Sequence, residues 1–283
     1  MKTRVLMVIV CVMAAVNFAS ADTIRGINID FVTIGNAGNL GDTRAEANPH
    51  GSGAVSSNYR IGKYEVTNAQ WNAFTAAAGV PTGNAYWTGA QQPTNMVSWF
   101  EAAQFCNYLT SGDKYSGAYK FDISGNFLGI DRVLSISTYG TTYVIPTEDE
   151  WYKAAYYKPD GSGYSLYANG TSTAPIAGVN SNYGDAIGSP WEITNGTQEQ
   201  NGTFDMMGNV WEWDETLFFG SYPGVRGGSY FNIVGYLASS YQYGGDNPTD
   251  EYDAVGFRVA SVPEPATLLL LGIGGLVLRR KRS

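Results

Sequence analysis

The sequence predicts an α+β domain with little regular secondary structure, and three observations predict it. Three segments open with helix-capping boxes and carry apolar residues at helical spacing. Short β-type runs are scattered between and around them. Glycine fills 35 of 283 positions, above an average of about 7%, and is accompanied by 20 tyrosines and 7 tryptophans. A chain of this length with 44% hydrophobic content fills a core, so disorder is excluded as a description of the whole. The glycine and aromatic content suits ordered loops pinned by rings, not a helical bundle.

The elements follow in order. Residues 27–34 read as a strand, 36–58 as a long surface loop rich in Gly, Asn, Ala and Ser, and 59–66 as a second strand. Thr67 with Gln70 then opens a helix: the hydroxyl accepts from an early backbone N–H and the residue three on reaches back. Its core face is Trp71, Phe74, Thr75 and Ala78. Ser98 with Glu101 opens the next, with Ala102, Phe105, Cys106 and Leu109 facing the core. A strand at 143–145 precedes a third box, Thr147 with Glu150, followed by Trp151, Ala154 and Ala155. Residues 161–202 have few periodic apolar positions and are expected to be irregular, and strands return at 225–230 and 255–259.

Charge, cysteine and histidine remove whole classes of function. Residues 22–262 hold 11 basic and 24 acidic side chains, a formal charge of −13, which repels phosphate backbones and argues against nucleic acid as a partner. Cys11 lies in the N-terminal apolar run, leaving Cys106 alone in the body, so disulfide frameworks and Cys-rich metal centres are excluded within one chain. The single histidine, His50, sits in a polar glycine-rich stretch and reads as a solvated loop residue. Cys106 reads as a core residue.

Both ends read as addresses. Lys2 and Arg4 precede an apolar run at 5–18 and the small residues Ala19-Ser20-Ala21, so residues 1–21 are expected to be a signal peptide cut by signal peptidase after Ala21. The body then runs over 22–261. Residues 262–283 hold Pro263-Glu264-Pro265, thirteen mostly apolar residues at 266–278, and Arg279-Arg280-Lys281-Arg282. That order resembles the PEP-CTERM sorting signals of Gram-negative bacteria, with a short transmembrane segment whose basic end stays cytoplasmic. The resemblance implies an exosortase-type transpeptidase as partner and delivery to the cell envelope or extracellular matrix.

One loop stands out chemically. In Asp205-Met206-Met207-Gly208-Asn209-Val210-Trp211-Glu212-Trp213, two carboxylates flank backbone carbonyls at Gly208 and Val210. Calcium takes about six to eight oxygens, and a loop of this kind supplies four. The alternative is that Asp205 caps a turn while Glu212 pairs with an arginine such as Arg258. Glu148, Asp149 and Glu150 offer hydrolase-type carboxylates, or simply the acidic first turn of a helix.

Six stretches in order resemble the formylglycine-generating enzyme or sulfatase-modifying factor family, a variant of the C-type-lectin-like fold, over 59–260. They are Ile61-Gly62-Lys63-Tyr64-Glu65-Val66-Thr67-Asn68, Val97-Ser98-Trp99-Phe100-Glu101-Ala102-Ala103, Ile145-Pro146-Thr147-Glu148-Asp149-Glu150-Trp151, Gly208-Asn209-Val210-Trp211-Glu212-Trp213, Arg226-Gly227-Gly228-Ser229-Tyr230 and Val255-Gly256-Phe257-Arg258-Val259-Ala260. The resemblance implies two structural calcium sites, one at Asp205, Gly208, Val210 and Glu212 with the Met206 carbonyl, the other around Asn182 and Tyr183. It also implies copper held by two cysteines after the Gly-Gly-Ser motif. Here those positions are Asn232 and Leu237, which cannot replace thiolates, so no copper is expected, although Ser229 keeps the active-site hydroxyl position. The expected function is a non-catalytic, ligand-binding domain whose Tyr- and Trp-rich surface takes a polysaccharide or peptide. The alternatives are an oxidase or other enzyme with a rearranged centre, and a structural matrix component.

Overall fold

A computed structural model of the protein describes residues 20–80 and 85–262. The expected signal peptide up to residue 19 and the sorting segment from Pro263 onward lie outside the described residues. In chain order the elements are β1 (Ser20–Ile24), β2 (Ile27–Ile34), β3 (Tyr59–Gly62), α1 (Asn68–Ala78), α2 (Trp99–Ser111), β4 (Tyr119–Phe121), β5 (Phe127–Ile130), α3 (Arg132–Tyr139), β6 (Thr142–Val144), α4 (Glu148–Tyr156), β7 (Trp211–Phe218), β8 (Tyr222–Arg226), β9 (Val255–Gly256) and β10 (Ala260–Val262). A 3₁₀ turn lies at Val234–Leu237. The expected cut between Ala21 and Asp22 falls inside β1.

All three capping boxes form. Thr67, Ser98 and Thr147 accept from the third helical N–H, and Gln70, Glu101 and Glu150 return bonds of 2.8, 2.9 and 2.8 Å to the cap N–H groups. The apolar stripes bury as their spacing requires, Ala78 partly and the others fully. Where α1 and α2 end, Gly79 and Gly112 take the left-handed conformation that stops a helix without a Cβ clash. α4 has no such glycine. Its open carbonyls are met instead from the irregular segment: Gln200 donates to Ala155 O at 2.7 Å, and Asn201 to Ala154 O and Tyr157 O at 2.9 and 2.7 Å.

The main sheet is antiparallel, in the order β1-β2-β3-β10-β6. The two-residue period of β2 sends Ile27, Ile29 and Phe31 to the core shared with α1 and α2, and Val32 and Ile34 to the core shared with α4. A three-stranded sheet, β8-β7-β9, and the hairpin β4-β5 complete the body, and 161–202 contains no helix or strand. Among the described residues four α-helices stand where three were expected. The fourth, α3, escapes a periodicity reading because Ser135 is its one buried residue; it is placed by an Asp131 cap and by Arg132.

Buried ion pairs join the layers. Arg226 of β8 meets Glu148 of α4, with Nε to Oε1 at 2.9 Å, and Arg132 meets Glu150 of α4 and Glu215 of β7, each at 2.8 Å. Asp149 accepts from Gly53 N at 2.8 Å. All three acids of the α4 first turn are therefore engaged in holding the fold.

Removing a cap and breaking a buried pair should differ in size. Ser98→Ala is expected to cost about 1 kcal/mol, and Glu148→Ala, which strands the Arg226 guanidinium, about 3–5 kcal/mol. Denaturant midpoints of the two variants measure this, and equal shifts would show that Arg226 does not hold α4.

Candidate functional site

The loop before β7 is built on left-handed turns at Asp205, Gly208 and Asn209, with φ of 58°, 85° and 63°. Gly208 has no room for a side chain, since a Cβ would come 2.2 Å from the Asn182 carbonyl oxygen. Asn209 N donates to that same carbonyl at 2.8 Å, and its side chain accepts from Trp191 N and donates to Glu65 Oε2 at 2.6 Å. The structure thus brings Asn182 against Gly208 and Asn209, so the two expected calcium sites adjoin. Tyr183 donates its hydroxyl to Pro175 O at 2.6 Å.

The carboxylates of the loop have different surroundings. Asp205 Oδ1 accepts from Trp191 Nε1 at 2.9 Å, while Oδ2 is buried with no hydrogen-bond partner among the described residues. Asn182 Oδ1 is buried in the same condition. Glu212 is fully buried and fully used: Oε2 accepts from Trp151 Nε1 at 2.7 Å and Arg258 Nε at 2.6 Å, and Oε1 from Arg258 Nη2. A metal ion would have to compete with the guanidinium for these oxygens.

Two further acids belong to the cluster. Glu65 accepts from Val210 N at 3.2 Å, and Glu199 from Thr203 Oγ1 at 2.9 Å and Met206 N at 3.2 Å. Burial, and then neighbouring negative charge, pushes the Glu65 and Asp205 carboxyls well above the usual range; burial raises Glu199 to about 7. Four buried acids around the Arg258 guanidinium leave negative charge that protons or a cation must balance. Among the described residues no three His, Cys, Asp or Glu side chains group closely enough to hold a metal ion. A dication here would have to combine Asp205 with carbonyls such as those of Gly208 and Val210. Those donors fit calcium chemistry; Glu212 fits it only if Arg258 lets go. Glu65 had one sequence signal, an acid inside a β-type run, and Glu199 had none.

The loop is bonded to the Gly-Gly-Ser motif that follows β8, where Gly227 O accepts from Gly208 N at 2.9 Å. Asn232 turns back on that motif: its Oδ1 accepts from Ser229 N and Oγ at 2.9 and 2.7 Å. Leu237 is buried at the end of the 3₁₀ turn, and its carbonyl accepts from Tyr156 at 3.0 Å. Beside them opens a cleft of about 320 Å³, lined by Trp211, Tyr236, Tyr241, Tyr243 and Asn232, with Asp246 at its wall. Tyr236 and Tyr241 lie 4.3 Å apart between centroids, and Trp211 sits about 6 Å from each of the three tyrosines. Asp246 is raised above the usual range by burial and by Asp250. Cys106 is buried in the α2 core with its thiol pushed up by burial, and does not line this cleft; His50 is solvent-exposed.

Comparison with known proteins places these features. Residues 29–262 match the sulfatase-modifying factor enzyme 1-like domain, and 261–282 match the PEP-CTERM protein-sorting motif, which implies exosortase-type processing. The chaperone protein LppX of Paenibacillus barcinonensis is 27% identical over 178 residues, 56% of this chain and 61% of that protein. Hercynine oxygenase of Mycolicibacterium thermoresistibile is 27% identical over 234 residues, 71% of this chain and 50% of that protein. The chain thus spans between half and two thirds of the curated relatives it matches. Treponema denticola variable protein 1 superposes with a TM-score of 0.64 at 23% identity, covering 87% of this chain and 99% of that one. With its few helices, its curled sheet and its matched residues, the chain belongs to the sulfatase-modifying factor enzyme 1-like domain family and has its C-type-lectin-like fold.

Proposed function

We propose that this protein is an exported ligand-binding member of its family, without oxidase activity, delivered to the cell envelope or extracellular matrix through its C-terminal motif. The observation that carries this reading is the pair Asn232 and Leu237. They occupy the positions where the family resemblance places copper-binding cysteines, and each has taken a structural task, Asn232 on Ser229 and Leu237 in the core. Cys106, the remaining thiol of the body, is enclosed in α2. The aromatic cleft beside Asn232 then serves recognition, since stacked Trp and Tyr rings suit a sugar ring or a peptide. The names of the matched relatives include both a chaperone and an oxygenase, so kinship leaves the choice to the site itself.

Copper-dependent oxidation of a sulfatase-type cysteine peptide should be absent when the purified domain is given Cu(I) and oxygen; turnover that requires copper would overturn the reading. In a glycan and peptide screen, the ligand that binds should lose affinity about tenfold, or about 1.4 kcal/mol, in Tyr243→Ala. Tyr243 is exposed at the cleft, so its loss tests the site with little risk to the core.

Calcium is proposed as a structural cofactor bound through Asp205 and the carbonyls of its loop. The support is the buried, unpartnered Asp205 Oδ2 and the excess of buried acids around Arg258. A ligand at about 100 times its Kd stabilises the folded state by about 2.7 kcal/mol, a rise in melting temperature on the order of 5 °C in a domain of this size. Chelation should reverse that rise in the wild type and do little in Asp205→Asn. A melting temperature indifferent to chelator would leave the cluster balanced by protons.

Processing is proposed at both ends, so that the mature chain begins at Asp22 and lacks residues 279–282. Intact-mass measurement on protein from a host carrying the sorting enzyme checks this, and a mass that includes the basic tail would contradict it.

A further inference from the structure

Val262 ends β10, where its partner is Thr142 at the start of β6. Pro263-Glu264-Pro265 follows without a linker, and the apolar residues 266–278 begin four positions past Val262. Four residues reach about 14 Å at full extension, so whatever surface receives residue 266 lies within that distance of the end of β10. Thirteen helical residues cover about 20 Å, against a hydrocarbon core of about 30 Å. A segment that short thins the bilayer or draws its flanks into the interface.

The element beside that exit is α3. It runs through Tyr139 and Gly140 almost directly into Thr142, and Ser135 Oγ lies 3.1 Å from Thr142 Oγ1. Its exposed positions are Val133 at 80%, Leu134 at 50%, Ser137, Thr138 and Tyr139 at 41%, and none is charged. A helix facing water ordinarily carries charges there. The two hydroxyls both donate back to Leu134 O, at 2.9 and 2.7 Å, so leaving water costs them little. Arg132 is held in ion pairs with Glu150 and Glu215. In the hairpin just before α3, Ile123 and Leu128 are also exposed, so residues 123–139 hold five of the sixteen exposed large apolar side chains among the described residues. Such concentration marks an interaction surface.

We propose that α3 faces the membrane: while residues 266–278 sit in the bilayer, Val133 and Leu134, with Ser137 and Thr138 on the same helical face, rest on the lipid interface next to the exit of the chain. The proposal builds on the reading of that segment as a membrane anchor. Lipid is the occupant because the short tether leaves the body no room to stand off from the bilayer. In a body with a formal charge of −13, a face with no charged side chain on the helix itself and only the exposed Asp131 cap beside it also approaches anionic headgroups at low electrostatic cost.

The test uses the chain from Asp22 to Ser283, which lacks Cys11 and the apolar run 5–18, carrying either Val133→Cys or Ile187→Cys, each labelled with a polarity-sensitive fluorophore. The labelled proteins are reconstituted into vesicles of mixed phosphatidylcholine and phosphatidylglycerol. Ile187 is exposed in the loop near Asn182, and Cys106 is buried from the reagent. The chain should float with the vesicles, and aqueous iodide should quench the residue 133 label several-fold less than before reconstitution, with the residue 187 label unchanged. A chain that floats with both labels equally quenched overturns the role of α3 alone. A chain that does not float overturns the anchor reading and this proposal with it.

Discussion

Two buried arginines, Arg226 and Arg258, and the half-buried Arg132, all closed by carboxylates, are what the remainder of this domain hangs on. Arg258 binds Glu212 of β7 and also donates to Gly62 O at the end of β3 and Phe204 O in the preceding loop, at 2.9 and 3.0 Å. Arg226 binds Glu148 and donates to the carbonyls of Asn48 and Tyr241, and Arg132 adds Ile145 O at 2.9 Å. Each guanidinium therefore meets one or two acids and one or two backbone carbonyls, and all of these carbonyls except that of Gly62 lie outside the strands and helices. A domain with long irregular stretches must satisfy buried carbonyls somehow. A planar fork with five donors does this where a lysine, with one point charge, could not.

Such pairs are not a simple source of stability, because taking both ions out of water offsets much of their attraction. Their effect is on specificity of arrangement. With Glu148 facing Arg226 and Glu150 facing Arg132, α4 has a single way to dock against β7 and β8. Tryptophans act in the same sense from the apolar side: Trp99 donates to Asp214 O and Trp213 to Val97 O, each at 2.9 Å, crossing between α2 and β7. Ring and hydrogen bond together fix depth as well as direction.

The same economy shapes the site. Glu212 closes Arg258, which leaves Asp205 as the loop carboxylate with an oxygen to give. Asn232 closes Ser229, so the hydroxyl of the Gly-Gly-Ser motif is held by an amide. What stays open nearby is aromatic surface, the cleft of Trp211, Tyr236, Tyr241 and Tyr243. Elsewhere in the fold, β10 lies between β3 and β6, so the last described strand, ending at Val262, belongs to the main sheet.

Local spacing alone determined the three capped helices, the strand at 27–34, the core position of Cys106 and the irregular course of 161–202, because each depends on hydrogen bonds or apolar faces a few residues apart. The six motifs carried the family and fold, and the terminal motif carried the sorting match. Only the tertiary structure decided the rest. α3 has no apolar stripe toward the core, and its place is set by Arg132 reaching residues 18 and 83 positions away. Glu65 meets Val210 across 145 residues, and Asn182 meets Asn209 across 27, which no local pattern encodes. For Glu212, both of its readings had equal standing in the sequence. The path of the chain brought Arg258, 46 residues away, onto its carboxylate, because a buried charge takes the partner that the fold places within reach.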